Sequence, residues 1–259
     1  MKIAPILNLS IEVVHAYSGL FDANETFVIR AGMGREESLL YDMDYFINVD
    51  KAEENSVMVL PELKITKRLL YGMPDIELLK LSKEKDCAMI VMGTTGSHDI
   101  AGKLFGSIST EMAQNARCPV ILVPKNPAFE QLKHILFASN YESATLKLIN
   151  NGLQWANKFK SNIHFVHISE TGNLKDFTEI KEIIFDTFSR EKDSFVASEI
   201  KNLHAYSVSE GLHRYIDKKQ INLLMMVAPK RKFLQNIFQK NTTKEMAFSI
   251  NIPMVVLHA

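Results

Sequence analysis

One pattern of apolar sequence occurs twice in this chain, and the two occurrences keep the same spacing. Residues 88–92 (Ala-Met-Ile-Val-Met) match residues 222–226 (Asn-Leu-Leu-Met-Met). Residues 118–123 (Cys-Pro-Val-Ile-Leu-Val) match residues 252–257 (Ile-Pro-Met-Val-Val-Leu) at the same offset, without a gap. Two gapless matches at one offset indicate an internal repeat, so we expect one fold to occur twice.

The repeat predicts the domain organisation. A Val-His pair at residues 14–15 occurs again at residues 166–167, in the same order relative to the other matches. A chain of 259 residues has room for two small domains. We therefore expect domains at residues 1–126 and 131–259, separated by a linker that contains proline.

Both halves alternate short β-branched runs with helical patterns, which is typical of parallel βαβ units. Several runs are apolar almost throughout, as in strands that are covered on both faces. The predicted strands are residues 11–16, 56–60, 88–92, 120–123, 134–138, 163–168, 195–200, 223–227 and 254–257. The predicted helices are residues 36–52, 74–85, 108–116, 143–159, 174–190 and 207–218, and one after residue 241.

The first half lacks the elements that open the second half. In the second half, a strand at 134–138 and a helix at 143–159 precede the Val-His strand, whereas residues 2–9 resemble only the end of such a helix. We expect that the natural chain begins before Met1. The alternative is that another segment, or another chain, supplies the missing strand.

Composition narrows the classes of function. Thirty Lys and Arg balance thirty Asp and Glu, which gives no electrostatic basis for binding nucleic acid or a membrane surface. No stretch approaches the roughly 20 apolar residues that span a bilayer, and residues 1–5 do not open a secretory signal. We therefore expect a cytoplasmic protein. In that reducing compartment Cys87 and Cys118 are expected to be two buried thiols, with a disulfide or a metal pair as the alternative.

A glycine-containing stretch follows an apolar strand and ends at the start of a helix. Gly93, Gly96 and Gly106 allow sharp turns and let backbone N–H groups approach a phosphate closely. The helix start adds unpaired N–H donors and the positive end of the helix dipole, and Ser107 and Ser109 add hydroxyl donors. The stretch is not a Walker loop, because no Gly-Lys-Ser/Thr follows at the required spacing. It predicts a polyphosphate site at the carboxyl end of the strand.

The pattern Gly93-x2-Gly96-x9-Gly106-Ser107, between Met-Ile-Val-Met and Cys-Pro-Val-Ile-Leu-Val-Pro, resembles the signature of the universal stress protein family. The resemblance implies an α/β fold. It would consist of two flavodoxin-like (adenine nucleotide alpha hydrolase-like) domains with open parallel sheets of five strands, the first without its opening strand and helix. It also implies that tandem copies or subunits pair through their last strands, here within residues 119–123 and 253–257.

The resemblance also implies a site, because ATP-binding members of the family hold the nucleotide against this loop. The residues carried over are Gly93, Gly96, Gly106 and Ser107 for the phosphates, Ile108 and Ser109 at the helix start, and Met92 and Ala16 beside the adenine. The family's ribose-binding Asp ends the opening strand, so the first domain has no counterpart for it. ATP is the expected cofactor of this domain, and Mg²⁺ is left open.

The second half has lost the loop. At the same offset the four loop positions Gly93, Gly96, Gly106 and Ser107 become Val227, Lys230, Lys240 and Asn241, and Asn140 stands at the position of the family's Asp. Side chains there fill the space that a phosphate needs and do not easily take glycine conformations. We expect no ATP in this domain.

We expect an ATP-binding stress-response or signalling protein that forms a homodimer or an intramolecular pseudo-dimer. The alternative is a nucleotide-free dimeric scaffold, which the missing ribose Asp favours. A weak ATPase or adenylate-transfer enzyme is a third alternative, for which no general base was found. No catalytic or metal-binding residue is predicted.

Overall fold

The structure is a computed structural model, and it describes residues 3–18, 34–53, 63–94, 106–125, 127, 131–138, 146–169, 181–182, 198–227 and 251–258. The helices are α1 (Ile3–Leu7), α2 (Arg35–Glu53), α3 (Pro74–Leu81), α4 (Ser107–Asn115), α5 (Leu146–Phe159) and α6 (Val208–Lys219). The strands are β1 (Ile11–Tyr17), β2 (Ile65–Tyr71), β3 (Ile90–Gly93), β4 (Val120–Val123), β5 (His134–Ala138), β6 (Asn162–Ser169), β7 (Ser198–His204), β8 (Leu223–Val227) and β9 (Met254–Leu257). The alternation of helices and strands confirms the α/β fold class.

The chain divides into two compact units, Met1–Leu81 and Ser82–Ala259. In the first unit β1 and β2 form a parallel pair in continuous register, from Ile11 opposite Ile65 to Tyr17 opposite Tyr71. The short helix α1 lies where the sequence predicted the end of a helix. No helix of the described residues is long and apolar enough to cross a membrane.

Helix α2 buries one face, because Leu39, Met43 and Ile47 recur every four residues and are all buried. Its first turn meets the carboxyl end of β1, where the Tyr17 hydroxyl donates a hydrogen bond to Glu36. That hydrogen bond raises the pKa of Tyr17. The Arg35 guanidinium lies 5.4 Å from the centre of the Tyr17 ring, so the start of α2 is held to the strand by ring and charge contacts.

The second unit contains one seven-stranded sheet in the order β3-β4-β9-β8-β5-β6-β7. Its last five strands in chain order, β5 to β9, are arranged 3-2-1-4-5 and are parallel to one another. This is a doubly wound order, whose switch point lies between the first and fourth strands. Strands β8 and β9 are buried at every residue, as expected for strands covered on both faces.

The two halves of the chain join where β4 meets β9. This pair is antiparallel, with Val120 opposite Val256 and Leu122 opposite Met254, whereas β3–β4 and β8–β9 are parallel. The segments that the resemblance implied would pair do so within one chain. The first half therefore contributes β3 and β4 to the sheet that the second half completes.

Helices α5 and α6 pack on the strands of the second half. The helical period places Leu148, Gly152, Ala156 and Phe159 on one face of α5, and the first three are buried whereas Phe159 is half-buried. At the start of α6, the Ser207 hydroxyl accepts a hydrogen bond from the Glu210 N–H at 3.1 Å, which is one of the two hydrogen bonds of a capping box. The Glu210 carboxylate reaches back to the Tyr206 N–H at 3.1 Å.

Some of the predicted secondary structure was wrong, and some of it lies outside the described residues. The strand Ile65–Tyr71 was not predicted, and residues 56–60, where a strand was expected, lie outside the described residues, as do most of helix 174–190 and the helix after 241. The helical period of α3 predicts that Ile76, Leu78 and Leu79 face inward, but Ile76 is 49% exposed and Leu78 and Leu79 are half-buried. The buried residue of that helix is Leu81. The helix ends at Leu81, so one turn at the end of the predicted helix is absent.

Candidate functional site

The candidate site lies between the end of β3 and the start of α4. Strand β3 runs parallel to β4, with Gly93 opposite Val123. The chain continues this pairing one residue further, since the Thr94 N–H donates to the Val123 carbonyl oxygen at 2.9 Å. The carboxyl end of β3 is therefore fixed on its β4 side before the loop begins.

The Thr94 carbonyl oxygen closes the loop. It accepts a hydrogen bond from the Gly106 N–H at 2.7 Å and another from the Ser109 hydroxyl at 2.8 Å. Residues 95–105, including the predicted Gly96, lie outside the described residues. The two ends of the loop are thus joined by hydrogen bonds, so helix α4 begins directly beside the end of β3.

Helix α4 begins at a residue that has no side chain to cap it. Gly106 is its N-cap residue, with φ −70° and ψ 167°, and among the described residues no side chain accepts a hydrogen bond from the first turn. An α-helix has no internal acceptor for the N–H groups of its first residues, here Ser107, Ile108 and Ser109. Unpaired N–H groups and the positive end of a helix dipole are the features through which helix starts bind anions in proteins.

Glycine was expected at position 106 because it allows a sharp backbone turn, and this reason is wrong. Its backbone is in the extended region, which any residue adopts, so no left-handed conformation requires glycine here. The remaining reason is space, because glycine puts no side chain beside the unpaired N–H groups of the first turn. Among the described glycines, Gly72 at the end of β2 has the left-handed value, φ 148°.

The predicted serines face different ways. Ser109 is 3% exposed, and its hydroxyl also lies 3.0 Å from the Gly106 carbonyl oxygen, so it acts inside the loop closure. Ser107 is exposed at the helix start, and Ile108 beside it is half-buried. Thr110 donates to the Gly106 carbonyl oxygen at 2.9 Å. Sequence reasoning missed the roles of the Thr94 carbonyl and Thr110; no residue-type signal identifies a main-chain acceptor.

The two residues expected beside the adenine belong to different units. Met92 is half-buried on β3 in the second unit, next to Gly93. Ala16 is half-buried on β1 in the first unit, one residue before the buried Tyr17. The structure brings together Met92, Gly93, Gly106, Ser107, Ile108 and Ser109 on the β3–α4 element.

The second half holds α4 in place. Met112 and Ala113 of α4 are fully buried, and His258, just after β9, donates from Nε2 to the Ala113 carbonyl oxygen at 3.0 Å. Burial lowers the pKa of His258, so the neutral imidazole is the stable form. A hydrogen bond from the residue that follows β9 therefore anchors α4.

The strand pairs β3–β4 and β8–β9 have corresponding registers. Gly93 pairs with Val123, and Val227 pairs with Leu257 at the same offset. The Ile90 N–H donates to the Pro119 carbonyl at 3.0 Å, a bond that Leu224 and Pro253 repeat at 3.0 Å. Val227 is buried where Gly93 is exposed. The other second-half positions, which are Asn140, Lys230, Lys240 and Asn241, lie outside the described residues.

No group of three or more His, Cys, Asp or Glu within the described ranges could hold a metal ion.

The chain is similar in sequence to known proteins. The universal stress protein family model matches residues 24–124. A universal stress protein of Methanocaldococcus jannaschii is 38% identical over 63 residues, which are 24% of this chain and 37% of that protein. One of Bacillus subtilis is 32% identical over 75 residues, 28% of this chain and 51% of that protein. The matches thus span about half or less of these relatives' own length.

The fold has a counterpart among solved structures. The crystal structure of a universal stress protein from Archaeoglobus fulgidus superposes with a TM-score of 0.65 at 13% identity, covering 99% of this chain and 91% of that one. At this identity the likeness concerns the fold, while the family rests on the sequence matches. The sequence matches thus identify a universal stress protein domain within residues 24–124 of this chain.

Proposed function

We propose that this protein binds an adenine nucleotide, with ATP as the expected ligand, at the β3–α4 loop and thereby acts in stress response or signalling. The observation that carries the proposal is the uncapped start of α4, held beside the end of β3 by the two hydrogen bonds to the Thr94 carbonyl. A polyphosphate would take the place of the missing cap.

The N–H groups at the start of α4 are not all available to a phosphate. The Gly106 N–H is already bonded to Thr94, so the phosphate contacts fall to the N–H groups of Ser107, Ile108 and Ser109 and to the exposed Ser107 hydroxyl. Main-chain donors at a helix start, together with the helix dipole, favour an anion without any cationic side chain. The proposed site therefore recognises phosphate through backbone geometry, and Gly93 leaves room for it.

We further propose that the chain carries two copies of the family domain, at residues 1–126 and 131–259, of which only the first binds nucleotide. The repeated register of β3–β4 and β8–β9 supports two copies. The Val227 side chain at the position of Gly93 supports loss of the second site. The proposal predicts one nucleotide per chain.

The test is an equilibrium titration of the full chain with ATP, ADP and GTP, using Gly106→Ala and Gly106→Val beside the matched variant Gly34→Ala. Gly34 precedes helix α2 as Gly106 precedes α4, and a Cβ added there meets nothing closer than 3.9 Å. We expect one ATP per chain, weaker binding in Gly106→Ala, still weaker binding in Gly106→Val, and unchanged binding in Gly34→Ala. Equal ATP affinity in all four proteins would exclude this loop as the site.

A nucleotide-free scaffold is the second candidate, and the β4–β9 pairing favours it. That antiparallel pair lets two copies share one sheet within one chain, so the architecture persists without any ligand. If the titration finds no nucleotide and unfolding is unaffected by millimolar ATP, the scaffold is the better account.

A further inference from the structure

The two cysteines of the chain come together at the other end of the strand that carries the candidate site. Cys87 precedes β3 and Cys118 precedes β4, 31 positions apart in sequence, and their Sγ atoms lie 3.7 Å apart. A disulfide has an S–S distance of about 2.05 Å and Cβ atoms about 3.8 Å apart. The sulfur atoms need to approach by less than the width of one atom to bond.

The backbone around the two cysteines is compatible with a disulfide bond between them. Strands β3 and β4 are hydrogen-bonded neighbours in register. The Ile90 N–H, three residues after Cys87, donates to the carbonyl oxygen of Pro119, the residue after Cys118. The Cys87 N–H donates to the Glu84 carbonyl at 3.2 Å. Both thiols are thus carried by fixed main chain, and side-chain rotation is the main movement that a bond would require.

We propose that Cys87 and Cys118 form a reversible intrachain disulfide by exchange with a low-molecular-weight disulfide such as oxidised glutathione. The expectation of two buried thiols is confirmed for Cys118 and is wrong for Cys87, which is partly exposed. Sequence spacing does not reveal that the two lie close together. This inference is independent of nucleotide binding, because the pair lies at the amino ends of β3 and β4, whereas the loop lies at their carboxyl ends.

The two cysteines have different roles in the exchange. Cys118 is 5% exposed whereas Cys87 is partly exposed, so the small disulfide reaches Cys87 first. Burial, followed by the neighbouring Cys87, raises the pKa of Cys118 to about 12, which keeps this thiol protonated until it reacts. Cys87 is therefore the entry point and Cys118 the resolving thiol.

The reaction balances in two exchange steps. The Cys87 thiolate, after losing its proton to solvent, attacks one sulfur of the small disulfide; a mixed disulfide forms and one small thiolate leaves. Cys118 then loses its proton to that thiolate or to solvent and attacks the Cys87 sulfur, and the second small thiolate leaves. The protein loses two hydrogens and the small disulfide is reduced to two thiols.

The consequence is a covalent ring around the candidate site. The segment between Cys87 and Cys118 contains β3, the loop and α4. Closing the ring restricts the unfolded chain, so oxidation should stabilise this element against unfolding while leaving the loop at the opposite end open.

The experiment incubates the folded full chain with oxidised glutathione and follows thiol count and intact mass. We expect both thiols to be lost, the mass to fall by two hydrogens, no chain-to-chain crosslink, and full reversal by excess reduced thiol. Cys118→Ser should instead keep one glutathione on Cys87, and Cys87→Ser should gain glutathione at least about tenfold more slowly.

A second measurement on the unmodified sequence does not depend on the variants folding. Brief alkylation of the native chain, followed by peptide mapping, should label Cys87 ahead of Cys118, and prior oxidation should block both. Two thiols that survive oxidised glutathione, equal glutathione uptake by the two serine variants, or a disulfide between chains would each overturn the proposal.

Discussion

The Ser109 hydroxyl lies 2.8 Å from the carbonyl oxygen of Thr94, across a loop that separates them by 15 positions. Ser109 is 3% exposed, so this hydrogen bond is made away from solvent. It joins the first turn of α4 to the end of β3. The position that the family resemblance assigned to a ligand contact thus also fixes the helix whose start forms the site.

Replacing Ser109 with Ala should destabilise the fold. The Thr94 carbonyl keeps the Gly106 N–H but loses one buried partner, and such a loss costs about 1 kcal/mol of unfolding free energy. The matched change Ser107→Ala, at an exposed position that caps nothing, should shift the unfolding free energy by less than about 0.5 kcal/mol. Urea unfolding of both variants measures the difference, and equal losses would contradict the role given to Ser109.

Gly106→Asp should separate folding from binding. The extended backbone at Gly106 suits an N-cap residue, so Asp would cap the helix and interact favourably with its dipole, for a gain of about 0.5 kcal/mol in unfolding free energy. The same carboxylate would repel a phosphate and occupy its place, so ATP affinity should fall at least about tenfold. Thermal unfolding and ATP titration on one sample measure both effects. A variant that is more stable and still binds ATP as the parent does would show that the helix start is not the phosphate site.

Gly152→Ala tests the packing of α5 on the sheet. A Cβ there would lie 2.8 Å from Cδ2 of Phe137 and 3.4 Å from Cδ1 of Ile163. Overpacking costs about 1–3 kcal/mol, while the better helix propensity of Ala returns about 1 kcal/mol, so we expect a net loss of roughly 1 kcal/mol. Gly34→Ala, which meets no atom within 3.9 Å, is the control. Adding Phe137→Leu should restore part of the loss, and no recovery would place the strain elsewhere.

A buried histidine in the second half predicts how stability depends on pH. His164 on β6 contacts His134 at 3.2 Å, the Tyr215 hydroxyl at 3.0 Å and Glu199 at 3.3 Å. The same Glu199 carboxylate is paired with two cations, Lys201 and Lys219. Burial lowers the pKa of His164, in spite of the hydrogen bond to Glu199.

The lowered pKa of His164 determines whether the unfolding free energy rises or falls with pH. The unfolded His164 binds a proton at higher pH than the folded one, so its stabilising effect is complete above about pH 6.5 and is lost as pH falls below it. We expect the unfolding free energy to rise with pH through this window, and His164→Gln to flatten the slope. Urea unfolding between about pH 5 and pH 8 measures it. The same slope in both proteins would contradict the buried neutral state. His258 contributes in the same direction in both proteins.

Sequence patterns predicted the central strands because these are short apolar runs covered on both faces. Strands β4, β5, β8 and β9 fall on their predicted residues. Strand β2 was missed because it carries Lys67 and Arg68 and pairs with β1 alone among the described residues, so its pattern lacks the continuous apolar run of a central strand.

The site was predictable in outline and not in detail. Glycine and serine spacing located the β3–α4 element, because loops that bind phosphate need close backbone approach. That Ser109 faces inward, that Gly106 has an ordinary backbone conformation, and that Cys87 lies beside Cys118 depend on side-chain direction and on which strands are neighbours. Neither is contained in the spacing of residue types.

The most direct test of nucleotide binding at this loop is amide hydrogen exchange of the full chain with and without ATP, resolved by peptide. We predict that ATP slows exchange in peptides covering residues 93–110, and that the Gly106→Asp variant shows no such slowing. Unchanged exchange in those peptides under saturating ATP, or slowing confined to the second half of the chain, would contradict the account.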